Sequence, residues 1–540
     1  MKSAIKTTGL RYWMLRVLDE CDRVAADFRA DPVHDLRVAL RRCRSLADGM
    51  IAMDPDPEWK AMKKAGKGLF QSLGALRDVQ IMMEWIEKLH PAPAGGERAP
   101  SPASGDENGV VAEQASVREQ NALPHCQNDA AAHALLAILI HSETQEKHEA
   151  RAALAEFDRK QWRQWSKALP LRAAKIRPGS AVFKHLALER WMTARELHAR
   201  AMRVRSQVAF HTLRIGIKRF RYIVENFLPA EHEAWSNDLK HMQDLLGEVH
   251  DLDVLWATAL ASHVFPDEKS RKDWHARIAE ERTKRIDEYK QRMCGTESLW
   301  NVWRAGLPQG KQIQDLATRR MKTWAQVLDP DFAHSERVAR LALELYDGLV
   351  AARLVSIPVT VNGAGNDLRA SLYAAALLHD VGKAKGNKGH HKASQELIQK
   401  HGTPLGWNEE AMRRAAVVAR FHCGALPTRS HRALRDLLHA EQKLTIELAA
   451  VLRLANAFDA EHDGRVRRVQ IENAMGGKRR VNGFVQKPAG LSRGEALVLA
   501  AEGYSPASPV AQRVAAERHL LETVLQRPVI VKPAKSVLSK

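Results

Sequence analysis

The chain is predicted to be mainly α-helical: a duplicated helical bundle, then a second helical domain that ends in a small α+β extension. Three observations carry this. Apolar residues recur at helical spacing from about Thr8 to Leu89, from about Ala130 to Leu328 and from about Asp331 to Asp463, with few β-branched runs. Two distant stretches repeat one pattern, "VHDLRVALRRCRSL" from Val33 and "FHTLRIGIKRFRYI" from Phe210. After Asp463 the texture turns to short strand-like runs, "RVRRVQIE", "GEALVLAAE" and "RPVIVKP", with one helix, "PVAQRVAAERHLLETVLQ", before the last.

A chain of 540 residues exceeds one ordinary core, so roughly two to four domains are expected. The repeated helical domain is placed at residues 8–304, a linker helix at 305–328, the second helical domain at 329–475 and the extension at 476–535. Turn signals at "RPGS", "LPAEHE" and "LPQG" separate helices. The segment at about 91–129 is rich in Pro, Ala, Gly, Ser and Gln and nearly free of large apolar residues. It cannot bury enough surface to offset its ordering entropy, so it is expected to be a disordered insertion.

In the repeat, a His is followed by basic residues three, seven and ten positions later: His34, Arg37, Arg41 and Arg44, then His211, Arg214, Lys218 and Arg221. At about 100° per residue each set covers roughly a quarter of the helix circumference. Val33, Leu36, Leu40, Cys43 and Ala47 form an adjacent apolar stripe, as do Leu213, Ile217, Phe220 and Val224. Each helix thus packs by one stripe and presents cations beside it. Downstream, "LGALRDVQ" and "LGEVHDLD" each carry Leu-Gly with an Asp four residues after the Gly, Asp78 and Asp251. These Asp are candidates to orient the cations or to bond at helix ends. A solvated face mixes signs, whereas no acid interrupts either stripe; such faces repel unless an anion lies between them.

The formal net charge of +19 points to a polyanionic partner: nucleic acid, an acidic membrane surface or another phosphate polymer. Five scattered Cys without a CxxC pair argue against a disulfide framework or a thiolate zinc site and for a reducing compartment. The N-terminal stretch lacks the apolar core of a signal peptide and no window reaches the length of a membrane span, so no membrane partner and a cytoplasmic location are expected.

The paired motifs, each followed by its "LG...D" segment, resemble the CHAD family, a duplicated helical bundle, over roughly Arg11 to Arg304. The resemblance implies binding of inorganic polyphosphate in a basic groove or tunnel between the halves. It carries over to His34, Arg37, Arg41, Arg44, His211, Arg214, Lys218 and Arg221, with Lys67, Arg77 and Lys240 as further candidates. The first copy lacks the aromatic-acidic ending that Tyr222 and Glu225 supply in the second. Polyphosphate carries about one charge per unit and no bases, so it needs a cationic track without aromatic platforms. Nucleic acid is the second candidate ligand.

The C-terminal half holds a different chemistry: His334 in "FAHSERVARLAL", His379 and Asp380 in "AAALLHDVGKAKG", and Asp459 in "VLRLANAFDAEHDG". Imidazole and carboxylate groups from separate helices can close around a divalent cation such as Mn, Mg, Fe or Zn. The pattern resembles the HD-domain superfamily of metal-dependent phosphohydrolases, which implies His334, His379, Asp380 and Asp459 as the metal ligands. Asp380 and Lys383 are the candidate catalytic residues, Lys383 as a phosphate contact. "GHHKASQELI" around His391, "ARFHCGALP" around His422 and the strand-helix-strand end resemble the C-terminal region of the exopolyphosphatase and guanosine-pentaphosphatase family. His391 and His422 are candidates to support the ligands or to touch a phosphate. Ala393 stands where that family often has another His, and the actin-like domain pair that carries the family's phosphatase chemistry has no counterpart here.

The expectation is a polyphosphate-binding protein with an HD phosphohydrolase module acting on the polymer or on a phosphorylated nucleotide. The alternatives are a non-catalytic protein targeted to polyphosphate granules and an RNA- or nucleotide-binding regulator.

Overall fold

The computed structural model describes residues 9–26, 28, 30–90, 129–355, 365–472, 480–481, 484–485 and 495–534. All but Asp129 of the segment expected to be disordered lies outside them, as does much of the stretch 476–494. The chain is mainly α-helical, with a three-stranded sheet near its C-terminus, and divides into compact units at 1–309 and 310–540.

The first unit contains α1 (Leu10–Ala26), α2 (Ala30–Ile51), α3 (Pro57–Ala65), α4 (Lys67–Leu89), α5 (Ala130–Glu156), α6 (Arg159–Ala173), α7 (Ala181–Val204), α8 (Gln207–Phe227), α9 (Pro229–Ala261), α10 (Glu268–Met293) and α11 (Leu299–Ala305). The duplication is visible in the packing. α1 lies on α2 as α7 lies on α8, and α4 lies on α5 as α9 lies on α10. Between the halves, α2 meets α8 and α4 meets α9. Like elements pair with like, as in an isologous interface. The apolar stripes anchor this arrangement: Leu36, Leu40, Cys43 and Ala47, and Leu213, Ile217, Phe220 and Val224, are all fully buried. Burial of each large aliphatic side chain is worth roughly 1.5–3 kcal/mol.

Local signals set the helix ends. Asp56 caps α3, accepting from Glu58 N at 2.9 Å, with Pro57 in the first turn. Asp129 caps α5 and also binds His90, Trp274 and Arg277 at 3.0, 2.8 and 2.9 Å. Burial would raise its carboxyl, but these donors hold it down at about 2. His90 and Asp129, which flank residues 91–128 in the sequence, are thus joined directly.

In the second unit α12 (Lys311–Leu328), α13 (Phe332–Ala351), α14 (Gly365–Leu378), α15 (His390–His401), α16 (Glu409–Arg420), a short α17 (Arg432–Arg435) and α18 (His439–Phe458) precede the sheet. Met321 and Trp324 of α12, the segment expected as a linker, lie in this unit's core with Val338, Leu345, Leu372, Leu448 and Leu452. Strands β1 (Arg468–Ile471), β2 (Arg480–Val481), β3 (Phe484–Val485), β4 (Leu497–Glu502) and β5 (Val529–Pro533) follow, with α19 (Pro509–Leu525) between the last two. β2 pairs with β3 alone; the three-stranded sheet has the order β1-β4-β5. β1 runs antiparallel to β4 with Arg468 opposite Glu502, and β4 runs parallel to β5 with Leu497 opposite Val529. A parallel pair needs a crossover, and α19 supplies it. Arg453 of α18 binds Glu517 of α19 at 2.7 Å.

Candidate functional sites

The first site lies where α2, α4, α8 and α9 meet. The cationic stripes of α2 and α8 converge there, so that Arg37 lies in the field of Arg41, Arg77 and Arg214. Burial and these neighbours lower the Arg37 guanidinium against the pull of Asp78. Burial, then Arg214, Arg41 and Arg37, push the Lys218 ammonium down to about 8. Burial raises the Asp251 carboxyl to about 6 against Arg214, with Asp78 and Glu248 adding to the rise. Loss of solvent likewise raises Asp78 against Arg37, Arg214, Arg77 and Lys218. Asp78 and Asp251 lie inside α4 and α9 and serve no helix end.

The structure separates the eight repeat positions by what holds them. Arg37 donates to Leu73 O at 2.9 Å and lies 5.5 Å from the Phe70 ring centre. It also sits on Gly74, where a Cβ would lie 3.3 Å from Nη1. Arg44 donates to Lys63 O at 2.7 Å and also covers Phe70. Arg221 lies 4.0 Å from Glu225, which also pairs with Arg42. His211 meets His250 with Nδ1 atoms 3.3 Å apart, and burial lowers His250 to about 4. Among the described residues, Arg41, Arg214 and Lys218 have no ion pair within 4.0 Å. The repeat is therefore not electrostatically symmetric: Arg37 is tethered on Gly74, while its counterpart Arg214 is untethered and the space at Gly247 is open. Of the further candidates, Arg77 pairs with Glu84 at 2.8 Å, and Lys67, Lys240 and His34 are exposed.

The second site is built from helix ends in the second unit. His334 stands in the first turn of α13, His379 and Asp380 directly follow α14, and Asp459 directly follows α18. His390 opens α15, and His422 and Cys423 follow α16. All but His390 and Cys423 are buried. His379 gives Nδ1–H to Ala376 O at 2.7 Å. A carbonyl only accepts, so that nitrogen carries the proton and Nε2 presents a lone pair. Its nearest charged neighbour, Asp380 Oδ2, is 3.4 Å away, too long for a good hydrogen bond, and the buried Nε2 lacks a partner. Asp380 Oδ2 binds Lys383 at 2.5 Å, while Oδ1 faces His390 and His422 at 3.3 and 3.6 Å.

Burial would raise the Asp380 carboxyl, but His379, His390 and His422 hold it far below the usual range. Asp380 in turn pushes His390 up to about 10. Burial keeps His422 well below its usual value. Asp459 reaches this centre through His334: Oδ2 meets His334 Nδ1 and Arg337 Nε, each at 2.8 Å, and Oδ1 accepts from Gly464 N at 3.0 Å. His462 stacks on His334 with ring centres 3.8 Å apart.

Two groups of this centre could hold a metal ion by the spacing of their ligand atoms, His334 with His379 and Asp380, and His390 with His422 and Cys423. The orphaned Nε2 beside a deprotonated carboxylate is the donor set a divalent cation takes. His391, singled out from the sequence, lies by Gly424; its neighbour His390 is the one that faces Asp380. The doublet "HH" carried that signal, and the start of α15 decides which ring turns inward.

Gly382 fixes this geometry. A Cβ there would lie 2.0 Å from His390 O and 2.6 Å from Ser394 N, backbone atoms that cannot swing aside. Ser394 Oγ accepts from Gly382 N and donates to His379 O, at 2.8 and 2.6 Å. Gly382→Ala is expected to cost about 2 kcal/mol or more, read as a lowered melting temperature.

Among the described residues, no helix is long and apolar enough to cross a membrane. Family comparison matches residues 14–260 to the CHAD domain and residues 313–496 to Ppx/GppA phosphatase, domain III. No curated protein matches the chain.

Proposed function

We propose, for a chain that joins a CHAD domain to a Ppx/GppA-type domain III, that it binds inorganic polyphosphate along the basic face of its first unit. One observation carries this reading: Arg41, Arg214 and Lys218 stand together with no ion pair within 4.0 Å among the described residues, Asp78 and Asp251 acting on them only through the field. Clustered like charge costs stability and is offset when phosphate oxygens lie between the cations. Phe70 and Tyr222, the aromatic rings beside the face, are covered by Arg37, Arg44 and Lys218. They offer no bare platform for stacked bases, which favours polyphosphate over nucleic acid. Competition between polyphosphate and RNA at equal phosphate concentration tests this, and preference for RNA overturns it.

The reading predicts a pH profile. Lys218, pushed down to about 8, loses its charge as pH rises through that value, so binding weakens there. Asp251, raised to about 6, loses its negative charge as pH falls through that value, so binding strengthens. Anisotropy titrations between about pH 5 and pH 9 read both limbs.

A second reading, metal-dependent phosphohydrolysis in the second unit, is favoured by the orphaned Nε2 of His379. His334, His379 and Asp380 would hold the cation, with Asp459 positioning His334. When bound, it would supply Lewis-acid polarisation of a phosphoryl oxygen. Lys383 balances Asp380 and can donate to a phosphate. Phosphate release from polyphosphate or a phosphorylated nucleotide with Mn or Mg tests this; binding without turnover supports a granule-targeting role.

A further inference from the structure

The geometry points to a cavity in the second unit, between α15, α16 and α17, as a binding site for a free α-amino acid with an aliphatic side chain. The cavity measures about 430 Å³, within the range of small-molecule sites. Its floor is aliphatic: Ile398, Met412, Val417 and Leu437 line it, and all are buried. Its rim carries both signs of charge, Glu409 and Arg413 from α16 and Asp436 from the end of α17. An apolar floor under a few polar groups is the general form of a small-molecule site.

The charges set the ligand class. Glu409 and Arg413 stand one turn apart on α16, the spacing at which opposite charges ordinarily pair on a helix. Among the described residues, however, neither they nor Asp436 makes an ion pair, and all three are exposed. Side chains of opposite sign that line one opening without meeting leave a place for a ligand that carries both signs on neighbouring atoms. An α-amino acid does so: its carboxylate takes the fork of the Arg413 guanidinium, and its ammonium takes Glu409 and Asp436. The C-terminal end of α15, at Gln399 and Gly402 on the cavity wall, adds negative potential for the ammonium. Gln395 Oε1 accepts from Arg420 at 3.1 Å, so Gln395 offers the cavity N–H donors, which suit a carboxylate. The aliphatic side chain then covers the floor. Two carboxylates against one guanidinium disfavour a phosphate chain. The cavity is also separate from the metal centre: His390 opens α15 and His422 follows α16, whereas Gly402 and Glu409 stand at the other end of the two helices. Amino-acid binding here requires neither the polymer nor turnover.

The test is calorimetric titration of the full-length protein with L-leucine, isocaproate and isoamylamine, the last two each lacking one of leucine's charged groups. Leucine is expected to bind saturably at one site per chain, and each truncated compound about 10-fold or more weakly, from the loss of one charge-assisted contact. Arg413→Gln and Asp436→Asn should each lower leucine affinity by a similar factor and leave the melting temperature unchanged, because neither residue holds an ion pair. No saturable heat with leucine at millimolar concentrations, equal affinity for the three compounds, or undiminished affinity in both variants overturns the inference. The wild-type titrations decide even where a variant folds poorly.

Discussion

Replacing Arg214 and Lys218 together by Gln is expected to weaken polyphosphate binding about 100-fold or more at physiological salt, from two lost charge-assisted contacts, while the melting temperature stays unchanged or rises. The two halves of this result come from one cause. Neither side chain holds an ion pair within 4.0 Å among the described residues, so the folded state loses no such contact. Both stand in the field of other cations, and at Lys218 the repulsion of Arg214, Arg41 and Arg37 outweighs the attraction of Asp78. Removing them relieves repulsion in the free protein and removes attraction in the complex. The slope of log affinity against log salt should fall in magnitude by about two, one per phosphate contact.

Arg37→Gln is the informative comparison. Arg37 donates to Leu73 O and lies over Phe70, so its loss should lower binding and stability together. If the Arg214 and Lys218 pair behaved like Arg37, the face would be structural and the binding reading would fail.

This division among cations was not legible in the sequence, which writes all eight positions in one pattern. Periodicity sufficed for the buried stripes, because burial follows the helical repeat directly: Leu36 and Leu40, and Leu213 and Ile217, are all fully buried. It could not say which guanidinium reaches a carbonyl, because that depends on the neighbouring helix; Gly74 accommodates Arg37 while Gly247 leaves open space. The second site follows the same logic. His334, His379 and Asp380 were readable as ligand types in order, and the fold brings them within ligand distance of one another. His390 was passed over for His391 because adjacent residues differ by only about 100° around a helix, and the entry to α15 decides between them.

Asp380→Asn is expected to lower metal affinity in the second unit about 100-fold or more, by analogy with the losses seen when ligand shells are cut, and to leave polyphosphate affinity unchanged. Asn keeps the shape but not the charge, and three groups depend on that charge. Lys383 loses its partner at 2.5 Å, His379 loses the field that raises it, and His390 loses the interaction that pushes it up to about 10. His390 should fall back toward an ordinary histidine value, a shift that NMR titration reads in the presence of EDTA. The sign for stability follows from linkage. A histidine raised in the folded state contributes fully below its unfolded value of about 6.5, and that contribution is lost as pH rises to about 10. Metal-free wild type should therefore lose stability across that window, and Asp380→Asn should lose less. If phosphate release also disappears in this variant while polyphosphate binding persists, the second unit is a hydrolase. A wild type that binds polymer and metal yet releases no phosphate assigns the centre a structural role.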